Sequence, residues 1–415
     1  MDPGPMTVDR HVLGQRVGYW RVQRGLTQQV LADRLGRPRN WVWKVESGTV
    51  GTLERYSTLA QVADALTVDM QVLLGRDLSR LPDSAASVDA EAIEAIRSAL
   101  ERYDSLGGLL APDIVGEPPL LDALDKQVNY AWAAFERGRY GVLGATLPRL
   151  LSDAQRADAA YDQDAGTTAA SLLAQAYQVA ASALRKLGEH QLGWLAADRA
   201  IRAVERTGDL CWHGVATFRV GNALLAMGRA DAALRVQLGA VNRLSPDTSA
   251  DDTEARMSVY VQAAMAAARN GDSATVTDLF REAADVATHL GVDTDHYRAS
   301  FGPTNLAIHR TSAAVEMGEG PRAVEAHQSI APHALDRLPA ERRANHLLDV
   351  ARGHAQWGKP DQAAEFLIAA DSLCPAEVRC RPVAQSVLRE LGRRRKLDNL
   401  PPPLRDLAVA VAMPT

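Results

Sequence analysis

The chain holds three cysteines in 415 residues, Cys211, Cys374 and Cys380. They stand at no metal-ligand spacing and form no even framework, so they read as thiols in a reducing compartment rather than as a disulfide or zinc scaffold. No apolar run is long enough to span a bilayer, and the opening MDPGPMTVDRH has no apolar signal core, which points to a cytoplasmic chain without membrane contact. HExxH, GxSxG and CxxC are all missing. The nearest thing to a phosphate loop, GHAQWGKP from Gly353 to Pro360, has Pro360 where a metal-binding Ser or Thr is needed and lies in helical surroundings. His289, His296, His346 and His354 are scattered along helices. The expectation is a protein that is not an enzyme, with no catalytic residues, no metal site and no cofactor.

What is present is an uneven distribution of charge. The whole chain carries −5, yet from Arg10 to Arg55 nine Arg or Lys face only Asp33, Glu46 and Glu54. A basic head on an acidic body is the footprint of a DNA reader whose remaining mass does something else. With 47% apolar residues and this length, two or three domains with sizeable cores are expected.

The strongest local pattern lies in Leu13 to Gly48. Thr27 can cap a helix by accepting from the backbone amide of Gln29 or Val30, Leu31 and Leu35 recur at helical spacing, and Gly36 ends that helix. Ala32 is small where a second helix must cross. Pro38 suits the first turn of that next helix, which would run to Glu46. Val42 and Val45 face it inward, leaving Arg39, Asn40, Trp41, Trp43 and Lys44 pointing elsewhere. Leu13, Val17 and Trp20 supply the buried face of a preceding helix, while Leu59, Val62, Ala63 and Leu66, then Val72 and Leu73, supply two more.

These residues, GQRVGYWRVQRGLTQQVLADRLG and then WVWKVESG, resemble the DNA-binding domain of phage Cro and cI type repressors, the XRE-like helix-turn-helix family, over Leu13 to Gly75. The resemblance implies a five-helix, lambda-repressor-like domain at residues 10–77. It implies that Gln28 holds a phosphate, that Arg39, Asn40 and Lys44 face base edges in the major groove, and that Arg21 pairs with Glu46 to lock the first helix on the third. Arg or Lys can grip guanine O6 and N7, and Asn can grip adenine N6 and N7. Arg37 departs from the family, which usually has an apolar residue in the turn, and the loop TVGTLE after Gly48 lacks basic residues. Trp41 and Trp43 either pack on neighbouring helices or touch a thymine methyl or sugar; with Arg37 they complete the candidate DNA-contacting set.

A linker is expected at residues 78–89, where LSRLPDSAASVD is poor in large apolar residues. Beyond it Ile93, Ile96, Leu100 and Tyr103 mark one helix, the loop PDIVGEPP interrupts, and from Leu120 the pattern is a string of alanine-rich amphipathic helices. Gly138, Gly188, Gly228, Gly271, Gly318 and Gly358 recur at intervals of 50, 40, 43, 47 and 40, as turns of about six helical hairpins. In the clearest unit Gly221, Leu224, Gly228, Ala233 and Ala240 keep a frame shared by Ala181, Leu184, Gly188, Gly193 and Ala200, and by Ala351, His354, Gly358, Ala363 and Ala370. This frame resembles the tetratricopeptide repeat. The fold class is therefore all-α: the five-helix head, then an α-solenoid of tetratricopeptide-like hairpins over residues 90–400. Arg393, Arg394, Arg395 and Lys396 read as a solvated or helix-capping run, and residues 401–415, with LPPPLRDL, as an extended or disordered tail.

Such stacks bind along a concave wall lined by the first helix of each pair. The repeat frame places Trp132, Gln175, Gln178, Ser182, Arg185, Phe218, Asn222, Met265, Asn305, Asn345 and Arg352 on those helices. Asn and Gln amides complement a peptide backbone and Arg takes a carboxylate. The two-domain combination resembles the RRNPP-type peptide-responsive quorum-sensing regulators. That resemblance implies a homodimer on double-stranded operator DNA whose repeat domain binds a signalling peptide. The alternatives are a small molecule or partner protein as effector, and an interaction scaffold whose head only autoregulates.

Overall fold

Helices dominate the residues described by this computed structural model, which are 10–23, 26–49, 56–66, 90–101, 117–244, 250–290, 293–294, 298, 301–395 and 401–411. Among them the only β contact is the bridge between Thr294 and Phe301. The chain divides into two compact units, Met1–Pro82 and Asp83–Thr415. Among the described residues no helix is long and apolar enough to cross a membrane.

The first unit contains α1 (Arg10–Gln23), α2 (Gln28–Leu35), α3 (Arg39–Glu46) and α4 (Tyr56–Leu66). Thr27 Oγ1 accepts from the Val30 amide at 3.2 Å, satisfying one orphan donor at the start of α2. Gly36 takes the left-handed conformation (φ 59°), and the Arg37 amide then reaches Ala32 O at 3.0 Å to close the helix end. Pro38 corrects the expectation that it begins the next helix. At ψ 148° it is extended and caps α3, its carbonyl accepting from the Trp41 amide at 2.8 Å. Leu13, Val17, Leu31, Ala32, Val42, Val45, Leu59, Val62, Ala63 and Leu66 form one core, with Trp20 and Trp41 packed on it. The α1–α3 crossing is so close that a Cβ on Gly14 would lie 2.2 Å from Val45 O. Val72, Leu73 and the linker 78–89 fall outside the described residues.

The second unit opens with α5 (Ala90–Leu100), whose Ile96 and Leu100 are fully buried. Then come α6 (Leu121–Glu136), α7 (Tyr140–Ala160), α8 (Gln163–Lys186), α9 (His190–Glu205), α10 (Leu210–Ala226) and α11 (Ala230–Val241). They are followed by α12 (Ala250–Asn270), α13 (Ser273–Leu290), α14 (Pro303–Glu316), α15 (Gly320–Gln328), α16 (Pro332–Asp336), α17 (Ala340–Gln356) and α18 (Pro360–Leu373). The six spaced glycines each join two consecutive long helices, as their recurrence predicts. Their φ values run from 66° to 84°, and the amide after each glycine bonds the carbonyl five residues back at 2.8 to 3.1 Å. Only a residue without Cβ takes that geometry cheaply. Ala181, Leu184, Ala200, Leu224, Ala233, Ala240, Ala351, Ala363 and Ala370 are buried between the paired helices. Near the third turn, a Cβ on Gly221 would meet Gln237 Nε2 at 2.2 Å and Gln262 Cγ at 2.8 Å.

The C-terminal end corrects the expected tail. After α19 (Pro375–Arg379) and α20 (Pro382–Arg395), residues Pro402–Ala410 form α21. Leu404, Leu407 and Val411, at intervals of three and four, are buried in a core shared with Leu367, Val387 and Leu391. The three prolines of the run 401–403 fit a helix start, where no amide partner is needed, so apolar spacing outweighed the extended reading. The chain's last hairpin also packs back on its first two. Helix α17 contacts α6, and Lys186 of α8, 2% exposed at its side chain, bonds Glu377 of α19 at 2.5 Å and also Glu341 of α17.

Candidate nucleic-acid interface and effector groove

In the first unit the burial of Val42 and Val45 determines what α3 shows to solvent. Asn40 and Lys44, four apart, are exposed on the opposite side, and Arg39 is exposed in the first turn. The two tryptophans divide. Trp41 is half-buried on the core, with the Arg37 guanidinium carbon 5.6 Å from its ring centre, whereas Trp43 is 54% exposed. Arg37, exposed in the turn, is thus held by a cation–π contact and does not need the apolar environment usual at that position.

Arg21 and Glu46 form a two-pronged pair: Arg21 Nε donates to Glu46 Oε1 at 2.5 Å and Nη2 to Oε2 at 3.1 Å, while Nη1 donates to Leu26 O at 2.7 Å. Gln28 joins them, its Nε2 donating to Glu46 Oε2 at 2.9 Å. That third bond is not evident from the spacing. One Nε2 hydrogen is used on Glu46 and the second remains available, so the carboxylate orients the amide that the phosphate assignment requires.

In the second unit, the residues expected on the concave wall fall into two groups. Asn305 accepts from Arg342, Asn345 accepts from Arg381, and Arg352 bonds Glu316 at 2.9 Å and Asp349 at 3.1 Å. These three are engaged within the protein. Phe218 is buried with its ring 6.4 Å from that of His309, and Met265 is half-buried between two cores. Trp132 is also buried, beneath the Arg219 guanidinium, whose carbon lies 5.3 Å from the Trp132 ring centre. The second group lies on α8 and α10. Ser182, Arg185 and Asn222 line one cleft together with Arg219. Gln178 is fully buried with neither amide atom bonded, and Gln175 is half-buried one turn away.

Arg219, Arg342 and Arg381 were missed by sequence reasoning. Arg219 and Arg342 stand one and three positions from Phe218 and Asn345, and a repeat frame that tracks small residues gives no weight to them; Arg381, 36 residues from its partner Asn345, lies beyond the frame altogether. Burial and the nearby Arg342 push His309 down to about 3. For Glu341, burial raises the pKa, but Lys186, Arg342 and Arg185 outweigh it and hold the carboxylate below its ordinary value. Tyr140, whose hydroxyl donates to Glu377 at 2.7 Å, is pushed well up by burial and by Glu377. No group of His, Cys, Asp and Glu suited to a metal occurs among the described residues.

With this geometry in view, residues 12–74 match the family described as a helix-turn-helix domain. The N-terminal unit carries a helix-turn-helix domain over these residues. Among solved structures the chain is similar to that of Bacillus thuringiensis PlcR in complex with the peptide PapR7 and DNA, at 13% identity, over 84% of this chain and 98% of that one, with a TM-score of 0.32. No curated protein matches the chain.

Proposed function

We propose that the chain is a sequence-specific DNA-binding transcriptional regulator, working in the cytoplasm as a homodimer, whose helical-hairpin unit takes a short signalling peptide that alters operator affinity. The observation that carries the DNA half is the division of α3: Val42 and Val45 anchor one face in the core while Asn40 and Lys44 stand exposed on the other and Arg39 is exposed in the first turn. Two such heads related by a two-fold axis would read half-sites about 34 Å apart. Support for the peptide half comes from Gln175 and Asn222. They lie on the first helices of successive hairpins, and their side-chain amides make no hydrogen bond among the described residues. An amide pairs with both the N–H and the C=O of an extended backbone.

The test begins with selection of bound fragments from random duplexes, followed by titration of the selected site. Arg39→Ala or Lys44→Ala is expected to cost about 1 to 3 kcal/mol on that site and relax base preference, and Gln28→Ala to weaken all duplexes alike. Unchanged binding in all three variants refutes the assigned register. Peptides that bind the protein yet leave operator affinity unchanged refute the effector half, because coupling requires differential affinity for two states.

A further inference from the structure

Gln175, Gln178, Ser182 and Arg185 recur on α8 at intervals of three, four and three, which places them on one stripe of the helix. Arg185 is the odd member. The carboxylates nearest to it are committed elsewhere: Glu341 to Lys186, and Glu377 to Lys186 at 2.5 Å and Arg381 at 2.8 Å. The Arg185 guanidinium makes no direct ion pair or hydrogen bond among the described residues; burial and the Arg381 charge push its pKa below the ordinary arginine value, against the opposing pull of the Glu341 and Glu377 charges. A half-buried cation in that state is unfavourable unless something arrives to pair with it.

Its surroundings are built from donors. Arg185 lines a shallow cleft of about 10 Å³ with Ala181, Ser182, Arg219, Asn222 and Ala223, and no carboxylate is among the lining residues. Arg219 is fixed there, its guanidinium carbon 5.3 Å from the ring centres of both Trp132 and Phe218, and its Nη2 donating to Arg298 O at 2.6 Å. Gln178, on the same stripe, is 0% exposed with both amide atoms unbonded. A guanidinium fork beside an amide donor matches a planar, two-oxygen acceptor.

We propose that the cleft between α8 and α10 is the anchoring subsite of the effector groove and takes a carboxylate, held by the Arg185 fork and the Asn222 amide. The inference rests on the effector reading above and narrows it to ligands carrying that group at a chain end or on an acidic side chain. The cleft itself holds about one water-sized group, so the carboxylate would sit at its mouth, where Arg185 and Asn222 reach it.

Thermal unfolding of the full chain tests it with three probes: N-acetyl-tetraalanine as the free acid, the same peptide as its C-terminal amide, and amidated N-acetyl-Ala-Ala-Asp-Ala. At least one of the two carboxylate peptides is expected to raise Tm while the plain amide does not, and which one does so identifies chain end or side chain. Arg185→Met is expected to weaken that response at least about tenfold while melting at or above the wild type, since it removes an unpaired cation. Asn222→Ala, a milder change, weakens the response severalfold. Equal responses to acids and amide, or a response that survives in Arg185→Met, overturn the proposal. So does an Arg185→Met chain that melts well below the wild type without any peptide, which would make the guanidinium a structural tie. Duplex binding by the wild type, read in parallel, separates the two ideas: its absence defeats the regulator reading and leaves the peptide result standing.

Discussion

Replacing Glu46 with Ala removes the acceptor for three side-chain N–H groups at once, Arg21 Nε and Nη2 and Gln28 Nε2. The magnitude follows from burial. An exposed pair contributes about 0.2 to 1 kcal/mol, whereas removing one partner of a fully buried pair costs about 3 to 5 kcal/mol. The Arg21 and Glu46 side chains are 15% and 14% exposed, and Arg21 keeps its bond to Leu26 O. We therefore expect a loss of about 2 to 3 kcal/mol, below the fully buried limit because some solvent reaches the stranded guanidinium. Against roughly 3 to 10 kcal/mol for a head of this size, that is a large share. Hydrogen exchange read by mass spectrometry reports on the head separately. Exchange across Leu13 to Glu46 is expected to rise about 30- to 150-fold in Glu46→Ala, with the second unit unchanged. Glu46→Gln retains one acceptor oxygen and should lose about half as much. The double change Arg21→Met with Glu46→Leu should recover part of the loss, because no charge is then stranded. A rise under about threefold in Glu46→Ala would show that this carboxylate does not tie α1 to α3.

Four further expectations concern the second unit. Lys186→Met removes the buried cation shared by Glu341 and Glu377, the latter keeping Arg381 at 2.8 Å and the Tyr140 hydroxyl at 2.7 Å, and is expected to cost about 2 to 3 kcal/mol, below the limit for a fully stranded buried charge, read as a drop in the unit's denaturant midpoint. Gly221→Ala drives a methyl to 2.2 Å from Gln237 Nε2, an atom already donating to Thr217 O at 2.8 Å, and should destabilise by about 1 to 3 kcal/mol. Gly239→Ala, with nothing within 4 Å, should stabilise by up to about 1 kcal/mol. Stability should also fall in mild acid. Burial, with Arg342 beside His309 and with His327 and Arg342 beside His346, pushes both histidines down to about 3. A histidine depressed in this way contributes its full stability above the unfolded value of about 6.5 and loses it as pH falls from there toward 3, at about 1.4 kcal/mol per pH unit for each ring. Denaturant midpoints should be flat above pH 7 and drop by about 2 kcal/mol per histidine at pH 5. His309→Gln or His346→Gln should each reduce the slope, His213, His327 and His354, also pushed down by burial, supplying part of the remainder, and an unchanged slope in both would refute the assignment.

The helical hairpins were legible because their causes are local. A glycine at each tight turn, small residues at each crossing and apolar positions every three or four residues are all read within one or two turns of helix, and the six glycines do adopt left-handed φ. The head was legible for the same reason, down to the Thr27 cap, the Gly36 stop and the inward Val42 and Val45. Where local cues conflicted, as at the prolines before Leu404, the extended reading failed because a proline run permits both a helix start and a loop.

The chain's sequence by itself determined the helices, their pairing into hairpins and which side of α3 is polar, because helical periodicity repeats within a few residues. Only the tertiary structure decided which polar side chains of the inner wall are engaged. Asn305 is occupied by Arg342 and Arg352 by Glu316, partners 37 and 36 residues away, and Lys186 finds Glu377 across 191. The first two pairings join neighbouring hairpins, and the third arises where the C-terminal helices pack back on α8. None of them leaves a mark in local spacing.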